Sequence, residues 1–171
     1  MKKIINKNQA FGLIETIMAS GIIVVVVGAM TLVSSIVLKS SRQTSEDLMA
    51  NYLIHEVFES ARQIRGTNYI DQDPETGWDN GLLLGYVKLI WEEVNDESGN
   101  VLFEKPEFEL SSDLGEKLPK ERGRGIEYNR KIKISKVSES NDKKKVEVVI
   151  SWQGGKHRQS SIILTNYEQG F

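Results

Sequence analysis

The sequence predicts an α+β fold in which a long N-terminal α-helix packs against an antiparallel β-sheet. Three observations support this prediction. An uncharged, largely apolar stretch runs from Thr16 to Leu38. Apolar residues then recur with helical spacing as far as Ile64, and apolar residues alternate with polar ones in the C-terminal third. The length of 171 residues leaves room for one domain after the apolar stretch.

Composition excludes several classes of protein. The chain has no cysteine, which excludes a disulfide scaffold, a cysteine nucleophile, an iron–sulfur cluster and a cysteine-ligated zinc. Its 22 Lys and Arg against 24 Asp and Glu give a net charge of -2, whereas nucleic-acid binders usually carry a basic excess. We therefore expect no direct binding of nucleic acid.

The uncharged stretch is long enough to cross a membrane. As a helix, Thr16 to Leu38 spans about 35 Å, and the hydrocarbon core of a bilayer is about 30 Å thick. Lys2, Lys3 and Lys7 precede it, and positive charge holds that end in the cytoplasm. We expect a single-pass protein of the cytoplasmic (inner) membrane, surrounded by lipid, with its C-terminal domain outside. A secretory signal peptide has a shorter apolar region.

A carboxylate stands at the edge of this span, where it is costly unless it has a partner. The residues leading to it are Ala10-Phe11-Gly12-Leu13-Ile14-Glu15, after a basic leader. This pattern resembles the class III signal of type IV prepilins and pseudopilins. In that family a small residue, usually Gly, precedes the cleavage point, Phe follows it, and Glu is the fifth mature residue. Ala10 departs from the usual Gly, and Gly12 from the commoner Thr or Ser.

The resemblance implies a pilin-like lollipop fold and a set of roles. A prepilin peptidase is expected to cleave between Ala10 and Phe11 and to methylate the new amine of Phe11. In the filament, Glu15 is expected to pair with the Phe11 amine of a neighbouring subunit and to set axial register. The implied partners are other pilin-like subunits and the assembly platform of a pilus or secretion system. A looser resemblance of residues 146–165 to minor pilins and minor pseudopilins favours a minor subunit.

The long helix is expected to lie in a membrane or filament core along its first half and against the sheet domain along its second half. We divide the chain into a leader (1–10), a transmembrane or filament-core helix (11–38), an amphipathic continuation (39–65) and a globular sheet domain (66–171). Gly21 and Gly28 share a helix face, which fits a packing face between subunits as well as it fits the ordinary glycine content of a membrane helix. Gly66 is expected to end the helix. The packed stripe of the continuation is predicted to contain Ala50, Leu53, Ile54, Val57, Phe58, Ala61 and Ile64.

The C-terminal region is expected to form the sheet. Residues 82–94 predict a strand, 101–104 a short returning strand and 105–125 an irregular connection. A strand near residues 126–134 has Arg130 breaking its apolar face, and a Val-rich strand follows at 146–152. Gly154-Gly155 predicts a hairpin into a last strand, which gives an antiparallel sheet of three strands. Lys143 to Lys145 are expected to form a solvated tip.

One acidic loop resembles a calcium site in part. Asp71, Asp73, Glu75 and Asp79 alternate with other residues. However, Gly77 stands at the seventh place rather than the sixth, and the twelfth residue is not Glu, so the loop is not an EF-hand. We expect a plain acidic turn, with an irregular calcium site as the alternative, and no other cofactor.

The sequence contains no enzyme motif. His55 and His157 are the two histidines, and neither belongs to a zinc-protease, phosphate-binding or serine-hydrolase pattern. We expect no catalytic activity. The expected function is that of a minor pilin or pseudopilin in a type IV pilus or a related secretion or DNA-uptake filament. The alternative is a single-pass, membrane-anchored domain that binds a ligand or partner and does not enter a filament.

Overall fold

A computed structural model describes the backbone of residues 7–71, 77–95, 98, 101–111, 115–120, 125–137 and 143–166, and the side chains of these residues from 12 onward except that of Asp71. Within these ranges it contains one helix and six strands. The elements are α1 (Lys7–Asp71), β1 (Gly85–Asn95), β2 (Val101–Leu110), β3 (Glu116–Lys117), β4 (Tyr128–Lys136), β5 (Lys143–Trp152) and β6 (Lys156–Thr165). The predicted α+β class is confirmed.

The chain divides into two compact units, Met1–Glu46 and Asp47–Phe171. In the first unit, the described residues all belong to α1. The second unit contains the rest of α1 and the whole sheet. The hydrophobic core is built entirely from residues of this second unit.

The second part of α1 packs its apolar stripe against the sheet, as the helical spacing predicts. Six of the seven predicted stripe residues are buried, and Ile64 packs against them at the margin. Burial of one large apolar side chain stabilises a fold by about 1.5–3 kcal/mol. The stripe therefore holds this part of the helix to the sheet. Its buried members are Ala50, Leu53, Ile54, Val57, Phe58 and Ala61.

The helix does not end at Gly66, so the boundary predicted at residue 65 is wrong. It continues to Asp71, and Gly66 does not have the positive φ of a C-terminal cap. A glycine inside a helix costs about 1 kcal/mol. The extra turn is held by Asn68, whose side-chain amide donates hydrogen bonds to the carbonyl oxygens of Trp78 (3.1 Å) and Asn80 (2.7 Å). These two hydrogen bonds connect the turn that contains Trp78 and Asn80 to the C-terminal end of α1.

The six strands form one antiparallel sheet with the order β2-β1-β4-β5-β6, and β3 pairs separately with β4. The predicted antiparallel arrangement of the last three strands is confirmed. The sheet is larger than predicted, because β1, β2 and β3 join it. Val146, Val148, Ile150 and Trp152 are buried on β5, as their alternation predicts. At the β5–β6 turn, Gly154 and Gly155 have φ values of 86° and 73°. These left-handed conformations fit a tight hairpin and confirm the predicted turn.

The first returning strand is longer than predicted. β2 continues through Leu110, although Pro106 suggested an irregular connection. Pro106 lies opposite Trp91 on a strand at the edge of the sheet. An edge strand tolerates proline because its outer side needs no N–H donor. The position of the strand in the sheet, rather than its local sequence, explains the difference.

Arg130 does not interrupt the buried face of β4, as the sequence suggested, but belongs to it. Only 2% of the residue is exposed. Its guanidinium donates from Nε (3.1 Å) and Nη2 (2.8 Å) to Glu116 Oε2, and from Nη1 to Glu56 Oε2 at 3.3 Å. Nη2 also lies 3.4 Å from the carbonyl oxygen of Leu89. One side chain therefore connects β4 with the helix, β3 and β1.

Replacement of Arg130 by Met should lower the free energy of unfolding by about 3 kcal/mol, because Glu56 and Glu116 would lose a buried cationic partner. Urea unfolding of the full chain in detergent, followed by tryptophan fluorescence, measures this. Arg62→Met is the matched control, since Arg62 pairs with Glu59 on the exposed helix surface and should cost less than about 1 kcal/mol. Equal losses in the two variants would contradict the role given to Arg130.

Candidate functional site

The first part of α1 contains an apolar segment that is not covered by the described residues of the chain. Every residue from 12 to 45 is exposed. Its large apolar side chains point outward on all sides of the helix, and among them Leu13, Ile22, Val25 and Leu32 are each more than half exposed. Contiguous apolar surface of this size marks a site of contact with a membrane or with other protein chains.

Several hydroxyl side chains of this segment donate hydrogen bonds to backbone carbonyl oxygens of the same helix. Thr16 Oγ1 donates to the carbonyl oxygen of Gly12, Thr31 Oγ1 to that of Val27, and Ser35 Oγ to that of Thr31, each at 2.8–2.9 Å. A hydroxyl that is bonded to its own backbone does not need water. The helix is long and apolar enough to cross a membrane, which is consistent with a single-pass anchor.

The residues predicted for cleavage and register lie inside this helix. Ala10 and Phe11 are both within α1, and their side chains lie outside the described part. Glu15 follows Phe11 by four residues, so both stand on the same helix face, one turn apart. Glu15 is exposed, and in the described part of the chain no cation pairs with it. A carboxylate in an apolar surface is costly unless a cation pairs with it.

Gly21 and Gly28 also have open space beside them. A Cβ atom added at either position meets no described atom within 4 Å. Neither glycine is therefore required by contacts within the described chain. Both positions remain available for close approach by another helix.

Of the four residues predicted as a possible calcium site, the structure describes the side chain of Asp79 alone. Asp71 is the last helical residue, and Asp73 and Glu75 lie outside the described residues. Asp79 is described, and its Oδ2 is 2.7 Å from Lys144 Nζ. No group of three metal-ligating side chains occurs among the residues that the structure describes. Asp79 thus has an ammonium partner supplied by the protein itself.

Lys144 corrects a second prediction, because it is not part of a solvated tip. It lies within β5 and is 6% exposed. Besides its ion pair with Asp79, its ammonium group donates a hydrogen bond to the carbonyl oxygen of Leu82 at 2.6 Å. A buried ammonium requires such partners. Strand alternation could have found Lys144, since it shares the face of Val146 and Val148.

The two histidines do not form a site. His55 is exposed on the helix with its ring edge toward Phe58, as expected for a surface residue. His157 is exposed on β6 opposite Ser151. Arg130 and Lys144 are the buried charged residues that sequence reasoning missed. Both serve contacts within the sheet unit rather than an open cavity, so the exposed apolar helix remains the candidate functional site.

Comparison of the chain with protein-family models, with curated proteins and with solved structures finds no match.

Replacement of Lys144 by Met should release the turn at residues 77–82, because Asp79 and the Leu82 carbonyl both lose their buried donor. We expect faster amide hydrogen exchange in that turn and a loss of about 2–3 kcal/mol in stability. Lys143→Met is the control, since Lys143 is exposed on the same strand. Hydrogen exchange read by mass spectrometry measures both; unchanged exchange at 77–82 in Lys144→Met would contradict this assignment.

Proposed function

We propose that the chain is a pilin-like subunit, a minor pilin or pseudopilin of a type IV pilus or of a related secretion or DNA-uptake filament. The observation that carries the proposal is the exposed apolar helix, together with a carboxylate near its start, Glu15, that has no cationic partner among the described residues. A lipid anchor accounts for the apolar surface alone. A bundle of identical or related helices accounts for the surface and also supplies a partner for Glu15.

Processing would generate that partner. Cleavage between Ala10 and Phe11 by a prepilin peptidase creates an α-amine on Phe11, which the same enzyme is expected to methylate. Removal of residues 1–10 also removes Lys2, Lys3 and Lys7 from the end that must enter the bundle. The mature helix then begins with one positive charge, followed four residues later by one negative charge.

The two charges would set the register of the subunit. In a bundle of apolar helices, the Glu15 carboxylate of one subunit meets the Phe11 amine of a neighbour. A buried pair adds little net stability, but a misplaced helix leaves both charges unpaired in a low dielectric at a cost of several kcal/mol. Correct axial packing is therefore favoured over slipped packing. Gly21 and Gly28 permit close helix contact further along.

The same features support a membrane orientation. The basic leader favours a cytoplasmic N-terminus, and the sheet unit then lies outside the inner membrane. Before assembly, the subunit is held by its single span. We propose no catalytic activity and no cofactor, since the roles assigned above use packing and charge pairing alone.

The alternative is an anchored domain that binds a partner and never enters a filament. It shares the span and the sheet with the first proposal. It assigns no role to Phe11 and Glu15, so substitutions at these residues distinguish the two. The filament proposal requires both residues, and the anchored-domain proposal requires neither.

Glu15→Gln should leave membrane insertion intact and reduce incorporation into filaments by tenfold or more, because the Phe11 amine would be buried without a carboxylate. Shearing of filaments from cells that express the complete assembly machinery, followed by immunoblotting of filament and membrane fractions, measures both. Glu59→Gln is the matched control, since Glu59 is an exposed glutamate of the same helix outside the span. Normal incorporation of Glu15→Gln would favour the anchored domain.

A further inference from the structure

A cavity opens in the sheet unit where β3, β4 and β5 lie side by side. Its volume is about 370 Å³, which falls within the range of about 300–1,000 Å³ that is usual for small-molecule sites. Such sites are mostly lined by apolar side chains, whereas this lining is largely polar, so it favours a polar ligand. Its described polar residues are Lys117, Lys120, Glu127, Asn129, Ser151 and Gln153.

Strand pairing sets the floor of the cavity. Lys117 on β3 pairs with Asn129 on β4, and Asn129 pairs with Ser151 on β5. Directly opposite residues lie on one face of a sheet, so these three residues form a row. Tyr128 and Arg130, on either side of Asn129, are buried in the core. Because side chains alternate along a strand, the row lies on the sheet face away from the core.

The lysines give the cavity a positive charge. Lys120 is exposed, and no carboxylate pairs with it in the described part of the chain. Lys117 Nζ is 3.5 Å from Glu127 Oε1, and both side chains are exposed, so this pair is weak. Glu116 does not offset the charge, because its carboxylate is bound to Arg130. A cleft lined by one sign of charge attracts ligands of the other sign.

The adjoining connection does not reverse this charge. The backbone N–H of Gly125 donates a hydrogen bond to the carbonyl oxygen of Lys120 at 2.8 Å, so both ends of the connection lie at the cavity. Residues 121–124, which lie outside the described residues, read Glu-Arg-Gly-Arg and add one acidic and two basic side chains to the sequence. The segment is therefore basic in a chain whose net charge is -2.

The remaining polar groups suit hydroxyl groups of a ligand. Ser151 Oγ is 3.5 Å from the carbonyl oxygen of Asn129, which is longer than an ordinary O–H···O hydrogen bond. Gln153 is exposed in the β5–β6 turn, and its amide both donates and accepts. A hydroxyl group also does both. A ligand with several hydroxyl groups would therefore use this lining better than a simple anion would.

We propose that this cavity binds an acidic sugar, which is a sugar ring that carries one carboxylate or phosphate group. Lys120 and Lys117 contact the anionic group, and Ser151 and Gln153 contact ring hydroxyl groups. The inference goes beyond the proposed function, because it uses residues of the sheet unit alone and does not depend on processing or on entry into a filament.

Four probes test the two parts of this chemistry on the full-length chain, purified in lauryldimethylamine oxide because that detergent contains no sugar. The probes are glucuronate, glucose 6-phosphate, glucose and acetate, and each is titrated by saturation-transfer difference NMR. We expect at least one of the two acidic sugars to bind about tenfold more tightly than glucose, which lacks the charge, and than acetate, which lacks the ring. The stronger of the two identifies the anionic group.

Substitutions locate the binding. Lys120→Gln should weaken binding of the stronger acidic sugar about tenfold and leave glucose unaffected, because it removes the cation alone. Ser151→Ala should weaken binding of the acidic sugar about threefold through the loss of one hydroxyl contact. Lys143→Gln is the matched control and should change nothing, since Lys143 is an exposed lysine at the other end of β5.

Three results would overturn the acidic-sugar proposal. The first is equal affinity for the acidic sugars and for glucose or acetate. The second is an affinity that Lys120→Gln leaves unchanged, which would place the binding elsewhere. The third is binding of a short oligothymidylate that is lost in Lys120→Gln while neither acidic sugar binds, which would identify a site for a nucleic-acid backbone. Lys120→Gln is expected to enter filaments normally, so these results leave the filament proposal standing.

Discussion

The structure depends on one constraint: the apolar surface of residues 12–38 is not buried by any described part of this chain, so it needs cover from lipid or from other chains. All of these residues are exposed, and the core is formed by the sheet unit. A helix of this composition in water would aggregate, whereas lipid or neighbouring helices would bury it on every side. Membrane location and assembly are therefore two ways to meet the same physical requirement. Under the filament proposal Glu15 separates them, because lipid tails provide no partner for a carboxylate, whereas the processed N-terminal amine of a neighbouring subunit would.

The second part of the same helix differs from the first, because the sheet of the same unit buries its apolar stripe. Its stripe supplies the apolar contact, and Arg130 supplies polar bonds to Glu56, Glu116 and the Leu89 carbonyl. Arg130 lies where β1 separates from β4 and β3 pairs with β4 in its place. A single buried guanidinium thus fixes where the helix and three strands meet. Beyond that point, β1 pairs with β2 and has no described pairing with β4.

The sequence was sufficient where a repeating pattern determines the structure. Helical spacing predicted the buried stripe, and alternation with Gly154-Gly155 predicted the β5–β6 hairpin. It was insufficient where a distant partner decides the outcome. Arg130 interrupts the apolar face predicted for β4 and Lys144 extends the buried face of β5. Their burial depends on Glu116 and on Asp79, which lie in other parts of the fold. The hydrophobic pattern of a short segment cannot show which carboxylate elsewhere in the chain will pair with a lysine or an arginine. Of the proposed site, the sequence identified the span and Glu15, and the structure added that both are exposed.

The most direct test of the filament proposal is the intact mass and N-terminal residue of the unaltered chain after co-expression with a prepilin peptidase. We predict a mature chain that begins at Phe11 and carries one added methyl group. A chain that still begins at Met1, and that remains uncut when Ala10 is replaced by Gly, would contradict the proposal. The protein would then be an anchored domain whose apolar helix is covered by lipid alone.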